Sequence, residues 1–303
     1  MTYPTPLLPD LLVGWQKVAD GCNTPEMKMS ELEASPVLPL PARCVPRQAW
    51  RNGSTLFGER TLAEEVPVAF SYDGATHAVL MATPDDLEDF ALGFSYTEGI
   101  ITAAAEIAEL AVVSLADGIV LRMWLTGDRS DAFAARRRQF VGPAGCGMCG
   151  LESLAEANRA IPTVSYDLQV SRQDIAEAVA ALPAGQQLNM QTRAVHAAAF
   201  WQPDQGLVLR EDVGRHNALD KLAGALLHRG WSAAEGVIVL SSRISIELVQ
   251  KSAMMGAAII VGVSAPTALA VRIANATGLT LVGIARDDGF EVFTHPERIT
   301  RYS

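Results

Sequence analysis

The chain has 303 residues, enough for about two domains with substantial cores. Its 49% hydrophobic and 19% charged composition excludes a disordered chain, and a net charge of −10 argues against a general nucleic-acid binder. Four cysteines do not make a disulfide framework in a chain of this size, which points to a reducing compartment. Residues 1–9 lack the basic and then apolar pattern of a signal peptide, and runs such as 256–263 are too short to cross a bilayer. The expectation is a cytoplasmic protein with neither a membrane nor a nucleic-acid partner.

Prolines recur through residue 46 (Pro4, Pro6, Pro9, Pro25, Pro36, Pro39, Pro41, Pro46), removing N–H donors and pushing their neighbours toward extended forms. Residues 1–50 therefore read as an extension, with one short helix over 7–18. A small α+β domain follows over 51–135. There, 66–72 and 76–81 flank Asp73-Gly74, a hairpin signal, and 110–115 and 119–125 flank Asp117-Gly118 in the same way. Between them Thr83-Pro84-Asp85-Asp86 predicts a helix start, with Thr83 as cap and Pro84 in the first turn. Leu87, Phe90, Ala91 and Phe94 give that helix an apolar face, and Gly99 should end it. His77 lies on a strand and reads as a surface or pairing residue.

Residues 136–150 form a loop around Gly145-Cys146-Gly147-Met148-Cys149-Gly150, with Arg136-Arg137-Arg138 upstream. Glycines keep the two thiols uncovered, and a helix expected from 151 to about 160 would favour a thiolate at its positive end. That argument favours Cys149, the nearer thiol. Half of a zinc site, a thioredoxin-like redox pair, a persulfide-bearing sulfur carrier and two chemically idle loop residues all fit the spacing. The other cysteines, Cys22 and Cys44, share no such spacing.

The larger domain should span 151–303. Ser171 and Asp174 resemble a capping box before a helix over 171–182. A hairpin over 194–201 and 206–210 leads into the polar run Arg210-Glu211-Asp212-Val213-Gly214-Arg215-His216-Asn217, either a solvated loop or a polar site at a strand end. The next helix turns Leu219, Leu222, Ala223 and Leu226 inward. Apolar runs at 237–240, 259–263 and 279–284, separated by helical stretches at 245–255 and 266–277, predict β-α-β-α-β with right-handed crossovers. The turns Ser241-Ser242-Arg243 and Ser264-Ala265-Pro266-Thr267 then sit where an anionic ligand binds at strand carboxyl ends, although helix capping explains their hydroxyls equally well. Arg243 is the harder to explain as a cap. Arg243, Ser264 and Thr267 are therefore candidate ligand contacts.

Several of these segments together resemble the FdhD family, in the family's order from about residue 51 onward. They are the cysteine loop, the stretch from Glu211 to Lys221, Ser242-Arg243-Ile244-Ser245, the segment from Gly262 to Thr267, and that from Thr83 to Phe94. The resemblance implies a sulfurtransferase required for formate dehydrogenase activity. Such a carrier takes persulfide sulfur from a cysteine desulfurase and passes it to the molybdenum cofactor carrying two guanine dinucleotides, before that cofactor enters formate dehydrogenase. The cofactor is cargo, with no permanently bound group expected. The resemblance further implies a homodimer and an α/β fold (α+β overall), its larger domain a three-layer, cytidine deaminase-like unit. Matched by position, Cys146 carries the persulfide, Cys149 is its partner, and Ala285, Arg286, Asp287, Asp288, Gly289 and Phe290 bind the cofactor. The chain departs from the family at Arg193-Ala194, where a Gly-Gly usually precedes the residue matching His196. Zinc-dependent deamination does not fit, because no glutamate stands two residues after His196 and the cysteines precede it. A cofactor chaperone or zinc-binding accessory protein without sulfur transfer is the alternative.

Overall fold

The computed structural model describes residues 37–140, 161–165 and 167–301. The expected helix at 7–18, the loop holding Cys146 and Cys149, and the helix from 151 lie outside the described residues. The first described element is one that the prolines hid. Ala42–Arg51 (β1) and Ser54–Ala63 (β2) pair antiparallel along their whole length. Asn52 (φ 51°) and Gly53 (φ 75°) make the turn, both left-handed as a tight hairpin requires. Each strand of such a ribbon keeps an open edge, where a proline such as Pro46 costs no ladder bond. The extension expected over 1–50 thus loses residues 42–50 to a strand.

A four-stranded sheet follows in the order β4-β3-β6-β5. Val66–Tyr72 (β3) pairs antiparallel with Ala75–Ala82 (β4), Ile107–Leu115 (β5) with Gly118–Leu125 (β6), and β3 runs parallel to β6. Both expected hairpins are present. Asp73 holds the sheet's corner, its carboxylate accepting from Leu125 N at 2.9 Å and Ser130 Oγ at 2.8 Å. Ser130 belongs to Gly127–Phe140 (α2), a helix that the sequence reading did not anticipate and that takes in Arg136, Arg137 and Arg138. The helix over Leu87–Thr97 (α1) lays Phe90, Ala91 and Phe94 against Phe70 and Leu121. It starts later than expected. Asp86, at φ 51°, is its N-cap, whereas Thr83 is drawn into a buried polar contact described below.

The second core surrounds a six-stranded sheet in the order β13-β12-β11-β10-β8-β9. His196–Gln202 (β8) runs antiparallel to Gly206–Asp212 (β9) and to Val237–Leu240 (β10), while β10, Ile259–Gly262 (β11) and Thr280–Arg286 (β12) are mutually parallel. Gly289–Val292 (β13) folds back on β12. A short parallel pair joins Val170–Ser171 (β7) to Ile299–Thr300 (β14). The capping box holds, Ser171 Oγ accepting from Asp174 N at 3.1 Å and Asp174 Oδ2 from Ser171 N at 2.7 Å at the start of Arg172–Gly185 (α3).

Alternation along β9 shows which helices lie on which face. Leu207 and Leu209 lie against Gly185 of α3, and the Glu211 carboxylate accepts from Leu188 N (2.7 Å) and Asn189 N (2.8 Å) at the start of Gln187–Thr192 (α4). The intervening Arg210 and Asp212 turn to the opposite face, toward α1 and Arg215–Arg229 (α5). Ile246–Met254 (α6) and Ala268–Thr277 (α7) supply the crossovers from β10 to β11 to β12, giving the expected β-α-β-α-β. α6 packs against both α5 and α7. Helices α1 and α5 cross where Gly93 meets the backbone of Asp220 and Gly224 meets that of Asp89. That crossing joins the two cores.

Candidate functional site

Strand directions gather most of the expected site on one edge of the large sheet. The start of β8, the ends of β9, β10, β11 and β12, and the start of β13 all lie there. His196, Arg215 and His216 therefore share an edge with Ser241-Ser242-Arg243, Ser264 and Arg286-Asp287-Asp288-Gly289. Neighbouring strands are about 4.8 Å apart, so the edge from β12 to β9 is about 19 Å long. Cys146 and Cys149 lie outside the described residues.

The turns along this edge are tied together by short contacts. Ser241 Oγ accepts from Ala197 N at 2.8 Å, and Ser241 N donates to Ala197 O at 3.0 Å, fixing the end of β10 to the start of β8. Ser242 Oγ donates to the carbonyl of Arg243 at 3.1 Å. The Arg243 side chain is exposed and, among the described residues, has no hydrogen-bond or ion-pair partner. Thr267 N donates to Ile244 O at 2.9 Å, while Thr267 Oγ1 caps α7 by accepting from Ala270 N at 3.2 Å. The capping role offered for Thr267 is therefore filled. Ser264 is half-buried and its carbonyl accepts from Ile284 N at 3.2 Å.

Ile284 sits at φ 53°, an unusual place for a β-branched residue, where the β12–β13 register shifts. Beyond that bulge Arg286, Asp287, Asp288 and Gly289 are exposed, whereas Ala285 is buried and can offer a ligand only its backbone. Gly289 and Phe290 help line a cavity of about 420 Å³, together with Arg172, Val292, Pro296 and Ile299. Phe290 thus presents an aromatic ring, and Arg172 a cation, beside the exposed turn.

The middle of the polar run at 210–217 is folded into the interior, whereas Arg215 and His216 stay half-buried. Asp212 and Lys221 are fully buried, with Lys221 Nζ 2.7 Å from Asp212 Oδ2. Thr83 closes the group: its N–H donates to Asp212 Oδ2 (3.0 Å), its carbonyl accepts from Lys221 Nζ (2.9 Å), and its hydroxyl accepts from Val213 N (3.1 Å). Asn217 Nδ2 bridges Asp212 Oδ1 and Met81 O, both at 2.9 Å. A second group joins Lys251 Nζ to Asp220 Oδ1 (2.9 Å) and Glu98 Oε1 (2.7 Å), with Thr97 Oγ1 donating to Asp220. Burial pushes Asp220 up against the pull of Lys251. Burial also pulls Lys251 down, but Asp220 and Glu98 outweigh it and hold the ammonium above the usual lysine range. Carboxylates from two residues within hydrogen-bond reach of Nζ favour the charged lysine. Both groups brace α1 and the β4–α1 turn against α5 and α6. The only sequence signal for them is Asp220-Lys221, an acid and a base set between the inward-facing Leu219 and Leu222.

At the β9 and β8 end, charged groups are less well satisfied. His216 Nε2 lies 3.9 Å from Glu247 Oε2, beyond hydrogen-bond reach. Both His216 Nε2 and Arg215 Nε are buried atoms without a hydrogen-bond partner among the described residues. Burial, then the Arg215 guanidinium, push His216 down to about 4. The same two causes, in the same order, hold His196 below the usual histidine value.

Residues 63–300 match the model of the FdhD/NarQ family. The chain is 51% identical over 259 residues to the sulfur carrier protein FdhD of Agrobacterium fabrum, covering 85% of this chain and 96% of that one. It is 47% identical over 260 residues to that of Brucella abortus (85% and 97% covered) and 44% identical over 251 residues to that of Cupriavidus necator (82% and 87%). Its fold is similar to the crystal structure of a formate dehydrogenase accessory protein from Desulfotalea psychrophila, with a TM-score of 0.69 and 26% identity over 86% of this chain and all of that one. A match over most of the chain, with high identity across nearly the full length of these relatives, shows that the chain belongs to the FdhD/NarQ family of sulfur carrier proteins linked to formate dehydrogenase.

Proposed function

We propose that this chain is a carrier-type sulfurtransferase that takes sulfur from a cysteine desulfurase onto Cys146. It then delivers that sulfur to the molybdenum cofactor bearing two guanine dinucleotides, held as cargo before entry into formate dehydrogenase. The observation that carries the reading is the single sheet edge. It lines up Arg243, Ser264 and the 286–289 turn in a chain whose relatives are sulfur carriers. An edge about 19 Å long, built from strand-end turns, suits an extended anionic ligand better than a compact one. The strand order, with helices on both faces, supports the cytidine deaminase-like arrangement of the larger part. The working form in this reading is a cytoplasmic homodimer.

The sulfur balance assigns distinct roles to the two thiols. Cys146 thiolate attacks the outer sulfur of the donor persulfide; an S–S bond forms on Cys146 as the donor's breaks, and the donor leaves as thiolate with no net redox change. Release as sulfide needs two electrons. Attack of Cys149 thiolate on Cys146 Sγ supplies them, expelling hydrosulfide and leaving a Cys146–Cys149 disulfide for later reduction.

Incubation with a cysteine desulfurase and cysteine should add one sulfur to the tryptic peptide 139–159, located on Cys146 by mass spectrometry. Cys146→Ala should fold normally, gain no sulfur and fail to activate formate dehydrogenase. Full activity in that variant would sink the assignment. Stoichiometric zinc that disappears with Cys146→Ala would favour a zinc-binding accessory protein instead.

A further inference from the structure

We infer that Arg215 and His216 form an anion subsite at the β9 end of the sheet edge, which takes a diphosphate group, and that His216 gains a proton as the anion arrives. The inference rests on the cargo reading above, because a dinucleotide cargo carries diphosphates, but it concerns residues that reading does not use. This end lies about 19 Å, four strand spacings, from the 286–289 turn. One extended ligand could therefore meet both places.

Unsatisfied donors carry the argument. A buried guanidinium N–H without an acceptor is costly, and Arg215 Nε is such an atom. His216 Nε2, one residue on, is a second buried polar atom without a partner among the described residues. Among the described residues, these charged groups act on them. Arg215 shares the helix start, His196 and Asp212 flank it from β8 and β9, Glu247 and Lys251 approach from α6, and Glu98 from the end of α1. Lys251 is already paired with Asp220 and Glu98, and Asp212 with Lys221. Among the described residues Arg215 is left as the cation in excess, and after burial its field is the next cause that suppresses protonation of both histidines. A diphosphate would supply acceptors for Arg215 Nε and reverse that field. An imidazolium has two N–H donors, so protonated His216 can bridge the anion and Glu247, which a neutral ring 3.9 Å from the carboxylate does not.

The test uses the full chain and inorganic pyrophosphate. Calorimetry in two buffers of different ionisation enthalpy should show binding with proton uptake near pH 7. Arg215→Gln should weaken it about ten-fold or more, because a charge-assisted contact is lost. His216→Gln should still bind but with clearly less proton uptake, and Arg243→Ala should keep most of the affinity. In the wild-type protein, the histidine resonance missing from the His216→Gln spectrum should titrate at higher pH with pyrophosphate present, a readout independent of how Arg215→Gln folds. The proposal is overturned if pyrophosphate does not bind, if it binds Arg215→Gln equally well, if Arg243→Ala abolishes binding, or if that resonance does not move. Sulfur loading of Cys146, measured on the same proteins, should be retained in all of them. Its absence from the wild type would remove the carrier reading and leave the pyrophosphate result standing.

Discussion

Lys221 and Asp212 meet 2.7 Å apart, both fully buried, and Thr83, Asn217 and the Gly214 amide supply their further hydrogen bonds. Such a pair is weak evidence of net stabilisation, because removing two charges from water offsets much of their attraction. Breaking it is another matter. Lys221→Met would leave the Asp212 carboxylate buried beside apolar carbon, and the expected cost is about 3–5 kcal/mol. A denaturant midpoint equal to that of the wild type would show that Asp212 finds another cation or takes up a proton cheaply. Lys221 Nζ also stands 5.5 Å from the Phe90 ring centroid, so the lysine touches the aromatic core as well as its counter-ion.

At the scale of elements, the α1–α5 crossing sets the geometry of the molecule. An added Cβ at Gly93 would fall 1.7 Å from the Asp220 carbonyl oxygen, and one at Gly224 would fall 1.9 Å from that of Asp89. These neighbours are backbone atoms, so no side chain can swing aside. Alanine favours a helix over glycine by about 1 kcal/mol, yet Gly93→Ala should destabilise, because forced separation of packed helices costs about 1–3 kcal/mol or more. The melting temperature of that variant is the measurement; an increase would mean that the crossing is looser than described. Spreading the helices would also disturb the Lys251–Asp220–Glu98 and Lys221–Asp212–Thr83 groups, so the variant should lose cooperativity as well as stability.

At the scale of the whole molecule, the β1–β2 hairpin stands apart from both cores. Trp50 is 71% exposed, and among the described residues the ribbon is tied to the rest by packing of β2 on α4 and by Arg60 Nη2 donating to Thr192 O at 3.4 Å. A two-stranded ribbon is marginal in water without a packed face. Amides of 42–63 should therefore exchange with solvent far faster than those of β10 and β11, read by mass spectrometry on the free chain. Protection equal to that of the central sheet would mean that something covers the ribbon in solution.

Much of this was legible in the sequence because it depends on local chemistry. Asp73-Gly74 and Asp117-Gly118 set two hairpins, Ser171 and Asp174 set a cap, and the apolar runs with intervening helical faces set the β10-to-β12 crossovers. The motif segments also carried the family, which the match over 63–300 bears out. The first hairpin was hidden by prolines that an open ribbon edge tolerates. The helix start at Asp86 was missed because Thr83 has a stronger partner far along the chain. Only the tertiary structure could show that Asp212, Lys221, Asp220 and Lys251 brace two cores, or that Arg215 and His216 keep unsatisfied atoms. A residue's identity fixes what it can donate, accept or charge; which partners satisfy it is decided by segments distant in sequence, brought together by the α1–α5 crossing and the order of the strands.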